Sequence, residues 1–295
     1  MKTVLYGRPA FFALTLVLIV AGALAADDGG QNNRAKEFEA GGPRVNAHDT
    51  NPIDLAPTAG GTGALSPISN HGGPVMVTPT AYLIWYGNWN QSNGSDTPAG
   101  QQLVRNFPSG FVTIGGETTV TARSRSRLSD SGVFSIVSTA INNHSLPNDA
   151  NGVYFVITSS DISKSGFCTQ YCGWHTYGTV GGTTIKYSFV GNANRCLNAC
   201  AAQTVGPKGN AGVDGMLSVI AHELEEATTD PNLNAWYDSS GNENADKCAW
   251  TFGQNQTLGS NGAYYNMSLA HGNYLIQRNL SATDNKCYVS VNGAQ

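Results

Sequence analysis

The chain has 295 residues, of which 12% are charged and 40% hydrophobic, against about 25% charged residues in an ordinary soluble domain. That length is enough to bury a sizeable core, and so little charge with so much apolar surface argues against disorder through self-repulsion. The 35 glycines and 12 prolines exclude a coiled coil or plain helical bundle, and a net charge of −4 excludes nucleic acid and anionic membrane as natural partners.

Residues 1–25 read as a signal peptide. Lys2 and Arg8 precede an apolar run from Ala10 to Val20, and Ala23-Leu24-Ala25 offers small residues for cleavage. The run is short for a membrane span, and no other stretch is long and apolar enough, so the mature chain is expected to be secreted with no membrane span. Residues 26–66 hold paired glycines and few large apolar side chains, the composition of a disordered tail or propeptide. A single domain is expected over 67–295.

Within it, Val75–Val77 and Thr80–Tyr86 read as strands, being β-branched or aromatic and bounded by Pro and Gly. Gln101–Phe107 predicts a helix ended by Pro108. Thr118–Arg127 alternates as a strand with Arg123, Arg125 and Arg127 on one solvated face. Val133, Ile136, Val137 and Ile141 share a helical face over 133–142. Val153–Thr158 and Thr183–Val190 are expected as strands. The order of elements predicts an α+β fold with a twisted mixed sheet and packed helices.

Six cysteines, Cys168, Cys172, Cys196, Cys200, Cys248 and Cys287, form an even set behind a signal peptide and predict disulfides. The simplest pairing closes two local loops, Cys168–Cys172 and Cys196–Cys200, and ties the C-terminus with Cys248–Cys287. A four-cysteine zinc site is the competing reading. Sequons at Asn90, Asn93, Asn143, Asn255, Asn266 and Asn279 add candidate glycan sites.

The strongest chemical signal is the helical pattern over Asp214–Thr228, closed by Asp230-Pro231. Met216, Ile220, Leu224 and Ala227 share its apolar face. His222 and Glu226 project together at i, i+4 spacing, Glu223 points inward, and Glu225 points to solvent. His222-Glu223-Leu224-Glu225-Glu226 reads as H-E-x-x-E, a metalloprotease H-E-x-x-H with a carboxylate as second ligand. Zinc or another divalent metal accepts both donor types, and Glu223 would be the general base beside it. The third ligand is expected from Asp246 or Glu243, with His175 as a further candidate.

At this point the sequence resembles the EXORDIUM, or phosphate-induced protein 1, family of secreted proteins. The resemblance is carried by Val213-Asp214-Gly215-Met216-Leu217-Ser218-Val219-Ile220-Ala221-His222-Glu223-Leu224 and by Asn234-Ala235-Trp236-Tyr237. His71-Gly72-Gly73-Pro74, Tyr82–Trp89, Cys172-Gly173-Trp174-His175, Val190-Gly191-Asn192 and the Cys196/Cys200 pair follow the same order. It implies a location in the cell wall or apoplast and a role in growth, with no established catalysis. The segments Asn90–Ser95 and Thr229-Asp230-Pro231 depart from the plant pattern.

Three functional readings follow: a secreted wall or matrix protein, with a matrix component as partner; a zincin-like metallohydrolase acting on peptides; and a carbohydrate binder using Trp85, Trp89, Trp174 and Trp236.

Overall fold

A computed structural model of the protein describes the backbone of residues 37–40 and residues 66–289; the expected signal peptide and most of the expected tail lie outside the described residues. All the described residues belong to one compact unit, residues 33–295. No helix among them is long and apolar enough to cross a membrane.

The fold is mixed α+β, built on a six-stranded sheet. Its strands are β1 (Glu37–Ala40), β2 (Thr80–Tyr86), β3 (Thr113–Val120), β4 (Gly152–Thr158), β5 (Tyr171–Val180) and β6 (Thr183–Gly191), in the spatial order β1-β5-β6-β4-β2-β3. Strands β6, β4, β2 and β3 run parallel, and β5 is antiparallel to both its neighbours. Parallel strands covered on both faces need continuous apolar runs. Gly152-Val153-Tyr154-Phe155-Val156-Ile157-Thr158 supplies one, buried at every position.

Helices α1 (Pro98–Asn106), α2 (Asp130–Asn142), the single turn α3 (Leu197–Cys200) and α4 (Ala211–Thr229) complete the framework. Gly173 and Gly178 are five apart on β5, so they face opposite sides of the sheet. A Cβ on Gly173 would meet Val219 of α4, and one on Gly178 would meet Phe134 of α2. The two helices therefore cover opposite faces. Met216, Ile220 and Leu224 are buried as expected, and so is nearly every other α4 residue up to Ala227.

Several boundaries move, each for a local reason. Helix α4 begins at Ala211 because the Asn210 side chain accepts from Val213 N and caps it. Thr97 and Ser129 cap α1 and α2 in the same way, and so advance both starts. The arginine strand does not form: β3 ends at Val120, and Arg125 adopts a φ of 61°. The three arginines are exposed on a loop that ends in the two-residue strand Arg127–Leu128. Val75–Val77 is not a strand either; its backbone is drawn to α4 by Met76 N donating to Thr228 O. Inside the expected tail, Glu37–Ala40 pairs with β5.

All six cysteines are in disulfides, which leaves no thiols for zinc. The local loops are corrected to Cys168–Cys196 and Cys172–Cys200. Cys196 and Cys200 bracket the single turn α3 and share its face at i, i+4. Both sulfurs are thereby presented to the neighbouring 168–172 segment. Cys248–Cys287 pairs as expected and closes a 39-residue separation.

Candidate metal centre

The chemistry gathers where α4 crosses β5. Gly173 is what lets them approach: a Cβ there would lie 2.5 Å from Val219 Cγ1 and 2.8 Å from Glu223 Oε1, closer than atoms can sit. Two residues further along the same face of β5, His175 points at α4. From α4 come His222, Glu223 and Glu226. From the segment after the helix come Glu243 and Asp246.

His222 Nε2 lies 3.0 Å from Glu226 Oε1 and 3.7 Å from Asp246 Oδ1. His175 Nδ1 lies 3.5 Å from Glu223 Oε2 and 3.6 Å from Glu226 Oε2, and its Nε2 lies 3.8 Å from Glu243 Oε2. These are spacings of ion pairs and metal polyhedra, longer than well-formed hydrogen bonds with the exception of the first. Two three-residue sets have donor atoms within 4.8 Å of one another, His175/Glu223/Glu226 and His222/Glu226/Asp246. Except for Asp246, whose side chain is 11% exposed, every side chain in this cluster is fully buried.

Backbone donors hold the carboxylates in place. Asp246 N donates to Glu226 Oε1 at 3.1 Å, and Glu243 N donates to Asp246 Oδ2 at 3.1 Å, which turns Oδ1 toward His222. Asn244 bridges the same segment to α4 through Glu225 Oε1 and the Thr229 hydroxyl. Glu225, expected in solvent, is instead half-buried at this contact. Cys248, two residues beyond Asp246, anchors the segment covalently.

Burial in this cluster opposes charge, and the neighbours decide each case. Burial pushes the Glu223 carboxyl up to about 8, more than the facing His175 and His222 offset. Burial also pulls the His175 imidazole down, but the carboxylates of Glu223 and Glu226 outweigh it and hold it up at about 9. Glu226, desolvated equally, is held below the usual carboxylate range by His222 and His175.

The sequence admits both Glu243 and Asp246 as third partner. The structure places Asp246 beside His222 and Glu243 beside His175. The strand β5 carrying His175 was not expected at all, because its two internal glycines weaken any propensity signal. Its only visible mark was the Cys172-Gly173-Trp174-His175 string.

Other expected sites fare unevenly. Trp85, Trp89 and Trp174 are buried in the core, so they offer no sugar platform; Trp236 is half-buried. Asn90, Asn93, Asn143 and Asn255 are exposed, whereas Asn279 is half-buried. Asn266 is corrected as a glycan site: it is buried, and its Nδ2 donates to the Phe252 and Ile276 carbonyls. A glycosylated nitrogen could not make both bonds.

Comparison with known proteins gives a consistent picture. Residues 100–289 match the phosphate-induced protein 1 conserved region. The chain is 30% identical to Protein EXORDIUM-like 3 of Arabidopsis thaliana over 301 aligned positions, covering 80% of this chain and 86% of that protein. It is 30% identical to Protein EXORDIUM-like 5 of the same plant, covering 60% of this chain and 61% of the relative. Protein PHOSPHATE-INDUCED 1 of Nicotiana tabacum is 30% identical over 105 residues, 30% of this chain and 34% of that one. No solved structure matches the chain.

Proposed function

Because the chain belongs to the phosphate-induced protein 1 (EXORDIUM) family, we propose that it is a secreted extracellular protein, of the wall or matrix, built around a divalent-cation centre. Export is supported by the N-terminal apolar run and by cysteines that are all oxidised. Its partner in this reading is a matrix or cell-wall component, and its role is in growth or matrix remodelling.

The observation that carries the metal is the meeting of His222 Nε2, Glu226 Oε1 and Asp246 Oδ1 in a nearly buried site. Nitrogen and carboxylate donors at these separations suit zinc or another first-row divalent ion. Over the whole cluster four carboxyl groups face two imidazoles, so once all four are ionised the anions exceed even two protonated rings by two. A divalent cation supplies that charge. Buried carboxylates without such compensation are strongly destabilising.

Elemental analysis of the purified secreted protein tests this directly. At least one equivalent of a divalent metal is expected in the wild type, and His222→Ala should lose it. Stoichiometric metal unchanged by His222→Ala defeats the ligand assignment, and absence of metal defeats the reading.

A second reading, a metal-dependent hydrolase acting on peptides, is favoured by Glu223. This carboxyl adjoins the His222 set, and burial raises its pKa to about 8, the direction a general base needs. A bound metal would supply an activated water; Glu223 would take its proton. Turnover of a peptide library that falls about 100-fold in Glu223→Gln, with metal content kept, supports this role. The complete burial of the cluster favours the first reading, because a substrate has only the Asp246 edge to enter by.

A further inference from the structure

We propose that the centre holds two divalent cations, bridged by the carboxylate of Glu226. The inference rests on the reading of His222, Glu226 and Asp246 as a metal site and adds a second ion beside it, at His175 Nδ1, Glu223 Oε2 and Glu226 Oε2.

The two oxygens of Glu226 face different partners. Oε1 is 3.0 Å from His222 Nε2, and Oε2 is 3.6 Å from His175 Nδ1. Donors bound at about 2.1 Å around a tetrahedral ion stand about 3.4 Å apart. The second set has its donors 3.5 and 3.6 Å apart, and the first has them 3.0 and 3.7 Å apart. Both sets are thus already spaced as edges of a coordination polyhedron. A carboxylate that serves one ion with each oxygen holds them roughly 3.5–4 Å apart, the spacing of two-metal sites.

His175 and Glu223 point to a ligand independently of the first site. Both are wholly buried, and neither the two ring nitrogens of His175 nor the two oxygens of Glu223 make a hydrogen bond. Groups of this kind are normally satisfied, so His175 Nδ1 and Glu223 Oε2, 3.5 Å apart with no hydrogen bond to either, need an account. Among the described residues no lysine or arginine pairs with Glu223 or Glu226. Glu243 Oε2 lies 3.8 Å from the far ring nitrogen of His175, on the side where a metal-bound histidine keeps its orienting carboxylate. The first site alone leaves His175 and Glu223 without a task. With a second ion, Glu223 becomes a ligand and is no longer available as a base.

Zinc and manganese titrations of the full secreted protein, followed by elemental analysis, test the proposal. Two equivalents are expected in the wild type. His175→Ala should fall to one, and His222→Ala should also fall to one. Glu226→Ala should lose both. Because these variants disturb a buried cluster, the wild type loaded with manganese provides a readout that needs no substitution. Its electron paramagnetic resonance spectrum should be that of an exchange-coupled pair. One equivalent in the wild type, with an isolated-ion spectrum and no change in His175→Ala, overturns the second ion while leaving the His222 site standing. No bound metal at all overturns the site on which the proposal rests.

Discussion

Two groups of buried carboxylates sit at different places on the sheet, and they are treated in opposite ways. In open α/β sheets a ligand crevice usually lies at the C-terminal ends of the parallel strands, where chain order reverses. Here that position, between β2 and β4, is filled by the protein's own loop. Fully buried Asp96 accepts from Ser160 N at 2.9 Å, Asn192 Nδ2 at 2.7 Å, Asn93 Nδ2 at 2.6 Å and Gln91 Nε2 at 3.2 Å. Glu223, just as buried, accepts none. The first carboxylate is built into the scaffold by hydrogen bonds, whereas the second receives none from the chain and is the one the proposed ion would serve. Burial alone therefore says little about a carboxylate; what distinguishes a structural group from a binding group is whether the protein satisfies it.

The largest test of this contrast removes the ion. Chelation of the wild type should lower its stability by about 4 kcal/mol if the metal is held at a thousandfold excess over its dissociation constant, a fall of roughly 10 °C in Tm. Glu226→Ala, expected to hold no ion, should show no fall with chelator. A wild-type Tm indifferent to chelator would erase the distinction between the two carboxylates.

Asp96→Ala should cost about 3 kcal/mol by stranding donors from three loops, buried Asn192 among them. In contrast to the first test, denaturant unfolding should show the same loss with and without metal.

Asp214, in the first turn of α4, lies between the extremes. It is buried and accepts long bonds from Lys208 N at 3.1 Å and Asn210 N at 3.4 Å. Burial pushes its carboxyl up to about 7, despite those donors. The folded state thus binds a proton more tightly than the unfolded chain. This contribution to stability is complete below about pH 4 and is lost as pH rises through 7. Asp214→Asn should remove that loss, so its stability relative to wild type should rise by about 2 kcal/mol between pH 4 and 8 in unfolding experiments. A difference independent of pH would show that the group is better satisfied than its contacts indicate.

The smallest effect separates the centre's two states. In metal-free protein above pH 8, where the carboxyl is ionised, Glu223→Gln should stabilise by about 1 kcal/mol, because it removes a buried charge beside Glu226. In metal-loaded protein the same change should destabilise. A change of one sign in both states would argue that Glu223 takes no part in binding.

How far the sequence reveals all this depends on the range of the interactions. Helix α4 and the buried strands β2, β4 and β6 are legible because their apolar spacing is local. His222, Glu223 and Glu226 are visible as a group for the same reason, being one helical turn. What is not legible is what they face. Strand β5 interrupts its own pattern with Gly173 and Gly178, and Gly173 earns its place only through α4, some forty residues downstream. The same holds for the disulfides, where the close C-x3-C spacing suggests local loops until two distant segments are laid side by side. Asp96 carries no local signal at all: its role exists only once loops after β2, β4 and β6 converge.

The short strand β1 has a consequence for anyone shortening the chain. It pairs Glu37 opposite His175 and Phe38 opposite Trp174, and so closes the outer edge of β5. A protein beginning after Ala40 would keep α4 and all three disulfides yet present β5 as a bare rim of amide and carbonyl groups, directly beside the buried centre. Such a rim invites a foreign strand, whether an extended peptide or a second molecule. Oligomerisation or peptide capture by an N-terminally trimmed protein would then report on the missing strand, and material for metal analysis is best prepared with residues 37–40 in place.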